Sequence, residues 1–336
     1  MESGAPAGDS TRAARLLQRP ACIAPRNDVT MTAMRPPAAV IHSPDYACDI
    51  GPHVFPMEKY ARVRQRLVAG GWVSDDAILT PEPASDEALA RVHTRAYLDD
   101  LAAARWTPRT TPSELPLSAA IVASWQLMCG GTVLAARQAL ERGAAVHIGG
   151  GFHHAFADHA EGFCYLNDLA VAVRAVRADA GVVRAAVVDV DLHQGNGTAR
   201  IFQDEPEVFT LSIHQEHLYP VKERSSLDVG LANETGDEAY LAALADALEA
   251  VWAHGPELVL VQAGADPYHD DQLGALRLTF AGLERRDRAV IGGCVERGIP
   301  VAVTLGGGYA RRIDDLVAIH ARTCEVALEL SGAPAA

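Results

Sequence analysis

At 336 residues and 49% hydrophobic content, the chain can bury a large core and reads as one α/β domain with an extension. Its formal net charge of −14, from 43 acidic and 29 basic residues, repels phosphate backbones, which argues against general nucleic-acid binding; it serves solubility first, and suits cationic partners such as Lys-rich peptides second. The six cysteines form no Cys-x-x-Cys pair, so a thiolate zinc site is not expected; with no secretory apolar region they fit a reducing cytoplasm, and no apolar run is expected to reach the ~20 residues of a bilayer crossing.

In chain order, residues 1–36 mix Arg, Ala, Ser and Pro without a sustained apolar period. Further methionines stand at Met31 and Met34, and the segment is expected to be a disordered extension or to reflect an upstream start. From residue 37 the periodicity alternates. β-rich runs at 38–42, 144–149, 184–190, 207–213, 257–263 and 299–305 are separated by helical patterns near 57–70, 118–142, 165–179, 237–253, 279–297 and 311–330. Such alternation predicts a parallel sheet covered by helices on both faces. The stretches 230–236 and 266–278 read as loops.

Four of the β runs end in glycine beside a chemically useful residue. The second runs into Gly149-Gly150-Gly151-Phe152-His153-His154, and the third into Asp189, Asp191, His193 and a glycine-bracketed turn. The fifth ends in Ala263-Gly264-Ala265-Asp266 and the sixth in Gly306-Gly307-Gly308-Tyr309. Ligands of open α/β sheets bind outside the carboxyl ends of the strands, so all four loops are expected to line one pocket. Read as a continuing strand, residues 187–193 would point Asp191 and His193 the same way. With Asp266 they make an imidazole and two carboxylates, a set that leaves positions open on zinc or a similar divalent ion. The pair His153-His154 can equally cap neighbouring carbonyls.

These residues, in order with Ile41-His42-Ser43-Pro44, Val92-His93-Thr94-Arg95-Ala96-Tyr97-Leu98 and Gly162-Phe163-Cys164-Tyr165-Leu166-Asn167-Asp168, resemble the zinc-dependent histone deacetylase family over roughly residues 38 to 330, most like its class IV branch and bacterial relatives. The resemblance implies a single catalytic domain over 37–332 of arginase/deacetylase type, with a central parallel sheet of about eight strands. It implies Asp191, His193 and Asp266 as ligands of Zn2+, with Fe2+ or another divalent ion as alternatives. It makes His154 the general base and acid, oriented by Asn196, and His153 an electrostatic helper, oriented by Asp189. Tyr309 becomes the donor that polarises the carbonyl.

It further implies a lysine tunnel formed by Phe152, Gly162, Phe163 and Tyr219 with Leu273 at its mouth. A monovalent-cation site, for K+, would be formed by Asp189, Ser212 and backbone oxygens around Asp191, His193 and Ile213. The implied reaction is hydrolysis of the linear amide of an acyl-lysine in a protein or peptide. An acetylpolyamine amidohydrolase would use the same chemistry but would be favoured by Glu rather than Leu273 at the mouth. A non-catalytic scaffold would be marked by loss of a ligand or of Tyr309, and neither is lost. Arginase-like ureohydrolases need further Asp ligands for two manganese ions. Where many relatives carry Asp, Asn196 brings an acceptor without charge, so His154 is expected to be less basic.

Overall fold

The computed structural model describes Met1 and residues 37–332; apart from Met1, the segment 1–36 lies outside the described residues. Among the described residues the chain forms β1 (Ala39–Ile41), α1 (Lys59–Ala69), α2 (Asp86–Ala90), α3 (Arg95–Ala102), α4 (Ala119–Arg142), β2 (Ala144–His147), α5 (Asp168–Asp179) and β3 (Ala185–Asp189). It continues through α6 (Asn196–Phe202), β4 (Val208–Gln215), β5 (Leu227–Leu231), α7 (Asp237–His254), β6 (Leu258–Gln262), α8 (Phe280–Glu296), β7 (Val301–Thr304) and α9 (Ile313–Leu330). The six expected strands and six expected helices are present, with ends that shift by a few residues at most. The sheet has seven described strands against the expected eight or so, all parallel, in the order β1-β2-β7-β6-β3-β4-β5.

The strand that periodicity missed is β5. Its alternation of half-buried and exposed residues, with Asp228 and Gly230 inside it, is that of an edge strand with one neighbour, so part of the expected 230–236 loop belongs to the sheet. The interior strands β2, β3 and β6 are buried at every position, as a parallel sheet covered on both faces requires. One row of helices packs α4 against α5 and α5 against α6, while a second row runs α1, α9, α8, α7.

Helix α4 corrects one expectation. Its 24 residues are long and apolar enough to cross a membrane by composition, but in this fold it packs against β1, β2, β7 and α5, and two thirds of its apolar window is buried. The five described cysteines are free thiols.

Strand order decides where the chemistry lies. The four glycine-bearing strand ends belong to β2, β7, β6 and β3, which are four consecutive neighbours in the sheet. Parallel strands deliver all four loops to one edge. The ladder continues briefly past the strands through Val190 N–H to Gln262 O at 3.0 Å and Ala265 N–H to Gly307 O at 2.9 Å, which clamps the loops together.

Candidate active site

Strand β3 ends at Asp189, two residues short of the expected polar tip. Asp191 and His193 therefore converge through the turn beyond it rather than through strand pleating. The Asp191 carboxylate organises that turn: Oδ1 accepts the His193 N–H at 2.9 Å, and Oδ2 accepts Gln262 Nε2 at 2.8 Å and the Gly307 N–H at 3.1 Å. Asp266 crosses from the β6 loop, its Oδ1 accepting the Leu192 N–H at 2.9 Å. His193 Nδ1 then lies 3.2 Å from Asp191 Oδ1 and 3.3 Å from Asp266 Oδ2.

These three buried residues each offer a ligand atom within 4.8 Å of the others. Asp266 Oδ2 has no hydrogen-bond partner although it is fully buried, a costly state for a carboxylate oxygen unless a cation faces it. A Cβ on Gly307 would run into the Oδ2 atoms of Asp191 and Asp266, so glycine is required to keep the space between the carboxylates clear. Two oxygens and one imidazole nitrogen suit zinc or a similar divalent ion, so the residues fit the group. Without a cation the charges rearrange. Burial opposes a charged His193, but the neighbouring carboxylates of Asp191 and Asp266 outweigh it and push the imidazole up to about 10. Burial and the Asp191 charge push Asp266 up to about 6.

The two histidines after β2 stand beside this cluster, each with its expected partner. His153 Nδ1 is 2.6 Å from Asp189 Oδ2, and His154 Nδ1 is 2.8 Å from Asn196 Oδ1. Their surroundings separate them. Burial disfavours charge on His153, but Asp189 and Asp191 raise it above the usual histidine value, whereas burial followed by the charges of His153 and His193 holds His154 well below it. The Asn167-Asp168 pair fixes their loop. Asp168 accepts the N–H groups of Gly151 at 2.9 Å and Phe152 at 2.6 Å. Asn167 Oδ1 caps α5 through Ala170, and its Nδ2 reaches the His153 and Ala155 carbonyls. Capping the neighbouring carbonyls is thus the work of Asn167, not of the histidines.

Tyr309 lines the same cavity, and its N–H is held by Asp271 Oδ2 at 2.7 Å. Burial, then the Asp266 and Asp191 charges, raise its phenol well above the ordinary value, so it is a proton donor. The inner cavity shares Gly162, Phe163 and Tyr309 with an outer one that Leu218, Tyr219 and Leu273 also line. Phe163 meets Tyr309 edge to face at 5.9 Å, and Tyr219 meets His154 at 5.5 Å. Phe152 sits deeper than the other expected tunnel residues. It lines the inner cavity from its floor rather than the outer mouth, buried and stacked on Trp125 at 5.3 Å. Behind the site Asp189 pairs with Ser212 across the β3–β4 ladder, with Ile213 next in β4, although the Ser212 hydroxyl is engaged with His214 Nδ1 at 2.9 Å.

Sequence reasoning missed Gln262, Asp271, Phe55, Glu161 and Glu114. Gln262 carries the signal used elsewhere, a polar residue closing an apolar strand. Asp271 and Phe55 lie in connecting segments without periodicity. Glu114, which lines the mouth beside Leu273 in a left-handed backbone conformation with φ 62°, corrects the expectation of an uncharged mouth.

The fold and site define a parallel α/β protein with a candidate histidine–carboxylate metal site at the carboxyl edge of its sheet. A sequence profile described as the histone deacetylase domain matches residues 53–324, and the chain belongs to that family of amidohydrolases. It is 41% identical to an uncharacterised protein of Picosynechococcus sp., over 84% of this chain and 95% of that one. It is 33% identical to histone deacetylase 2 of Arabidopsis thaliana, over 77% and 70% of the two chains. It is also 29% identical to acetylpolyamine amidohydrolase 1 of Pseudomonas aeruginosa, over 69% and 81%. Among solved structures, a histone deacetylase homologue from Aquifex aeolicus superposes with a TM-score of 0.75 at 27% identity, covering 89% of this chain and 85% of that one.

Proposed function

We propose that the protein hydrolyses the side-chain amide of acylated lysine in proteins or peptides. The observation that carries this is the convergence, at the floor of one narrow apolar-walled opening, of Asp191, His193 and Asp266 with the His153–Asp189 and His154–Asn196 pairs and Tyr309. The tunnel walls suit four methylenes, and the floor suits an amide that resists water because its tetrahedral intermediate is anionic. Asp191, His193 and Asp266 would hold a divalent ion, zinc first and Fe2+ second, which would supply the Lewis acidity needed to activate water near neutral pH and polarise the carbonyl. His154, kept neutral by its surroundings, takes the water's proton through Nε2 and returns it to the leaving amine. The Tyr309 hydroxyl donates to the developing oxyanion, and His153, which Asp189 and Asp191 hold above the ordinary histidine value against burial, favours its cationic form nearby. The ladder pairing of Asp189 with Ser212 supports a potassium site that steadies this loop.

A second reading, hydrolysis of an acetylpolyamine, is favoured by Glu114 at the mouth, whose carboxylate would face a distal ammonium. Rates on lysine peptides bearing acetyl to myristoyl groups, set against acetylpolyamines, separate the two. Acyl-lysine peptides are expected to be the better substrates, with Leu273→Glu moving the ratio toward polyamines. A wild-type preference for acetylpolyamines that Glu114→Gln abolishes would replace the first reading by the second.

A further inference from the structure

The carboxylate of Glu161 reaches His154 through a single intervening side chain, Asn196. It opens a tight turn in which its N–H and carbonyl are both bonded to Cys164, with Gly162 and Phe163 at the corner in left-handed backbone conformation, φ 51° and 64°. The turn aims the side chain inward. Its Oε1 accepts Asn196 Nδ2 at 2.9 Å and the Tyr219 hydroxyl at 3.1 Å, while Oε2 lies 3.8 Å from His159 Nε2. Burial opposes its ionisation, but the donors His159, Asn196 and Tyr219 outweigh it and hold the carboxyl below its ordinary value.

An ionised carboxylate only accepts hydrogen bonds, so it admits one orientation of the Asn196 amide. The NH2 group must face Glu161. The amide oxygen must then face His154, and His154 Nδ1, 2.8 Å away, must carry the hydrogen. That leaves the lone pair on Nε2, where a general base requires it. Without Glu161 the amide is free to turn over and present its NH2 to Nδ1, which stabilises the wrong tautomer. An uncharged Asn196 could not enforce the choice alone, because its two ends are nearly the same in shape.

We infer that Glu161 is a positioning residue of the reaction: through Asn196 it fixes the tautomer of His154, and through the same oxygen it anchors Tyr219 in the tunnel wall. This rests on the reading of His154 as base.

The test uses the full chain, its metal content checked, with an acetyl-lysine peptide as substrate. Glu161→Ala should lower kcat roughly 10- to 100-fold with a smaller change in KM, as loss of an outer orienting partner does. Glu161→Gln, which keeps an acceptor oxygen, should recover most of that loss. In an Asn196→Ala background Glu161→Ala should cost no further activity, because its route to His154 is already cut. Additive losses in that double variant, or a Tyr219→Phe protein that reproduces the whole Glu161→Ala defect, would overturn the assignment and leave Glu161 a support of the tunnel wall. A wild-type protein inactive on the peptide would instead fault the substrate reading, which the inactive His154→Ala control keeps separate.

Discussion

Tyr309 is held by its backbone, not by its hydroxyl. Asp271 fixes the N–H, and the side chain projects into the cavity with Phe163 and Phe55 rings against it at 5.9 and 6.4 Å. Tyr309→Phe should therefore keep the fold and the metal yet slow turnover ~100-fold or more, the usual cost of removing an oxyanion donor. Steady-state kinetics alongside metal analysis check it, and wild-type turnover in a metal-replete variant would remove Tyr309 from the chemistry. The ligands and their histidines were legible from sequence because polar residues closing apolar strands are costly unless something uses them. Glu161 and Asp271 were not, since each acts through a residue far away in the chain, Asn196 and Tyr309, and spacing carries no trace of that contact. Phe152 lines the inner cavity as expected, and its stacking on Trp125 in the core was not legible from its neighbours in sequence.

At the scale of elements, helix termini and loops hold the site in shape. Asp168, the first residue of α5, is fully buried and serves three donors, the Gly151 and Phe152 N–H groups and the Thr132 hydroxyl. Asp168→Ala would leave the two N–H groups buried without a partner, at about 1–3 kcal/mol each before any relaxation, while the Thr132 hydroxyl keeps His147 Nδ1 at 2.9 Å. Denaturant unfolding should show a loss of at least ~2 kcal/mol, with turnover reduced because the same loop carries His153 and His154. Unchanged stability would mean that water replaces the carboxylate. The α8–α9 contact is of a different kind. Glu284 bonds Arg288 and Arg322 at 2.9 Å each, and Arg322 reaches Glu325 and Glu329 on its own helix. Hydrogen bonding to Arg322, opposed by burial and helped by Arg288, lowers the Glu284 carboxyl from 4.5 to about 2. A folded value below the unfolded one means this contribution is complete above pH 4.5 and is lost as pH falls toward 2. The side chains are about one third exposed, so screening keeps it to ~1 kcal/mol or less. Glu284→Gln should lower stability by up to ~1 kcal/mol at neutral pH and by progressively less toward pH 2, so that the acid limb between those limits is flattened. An acid limb identical to wild type would remove the bridge from the account.

The molecule as a whole is a sheet whose order brings four loops to one edge, and that order was not legible in the sequence. Periodicity distinguishes strands from helices, but β6 and β7 enter the sheet between β2 and β3 only because the assembled faces then bury every interior strand. The same assembly forces Asp191 and Asp266 together, 1% exposed each, beside a single histidine. Two buried carboxylates so placed weaken the fold until a cation joins them, so the metal should be a stabilising ligand as well as a catalytic one. A ligand bound only by the folded state at 100 times its dissociation constant adds about 2.7 kcal/mol. For a domain of this size that is a rise in Tm of ~5 °C or more. Thermal unfolding of the protein before and after chelation should show that fall, restored by zinc. Asp266→Ala, which lacks a ligand, should neither retain stoichiometric metal nor respond to the chelator. If chelation removes the metal and Tm does not move, the carboxylates are already satisfied without a cation, and the assignment of Asp191, His193 and Asp266 as its ligands fails.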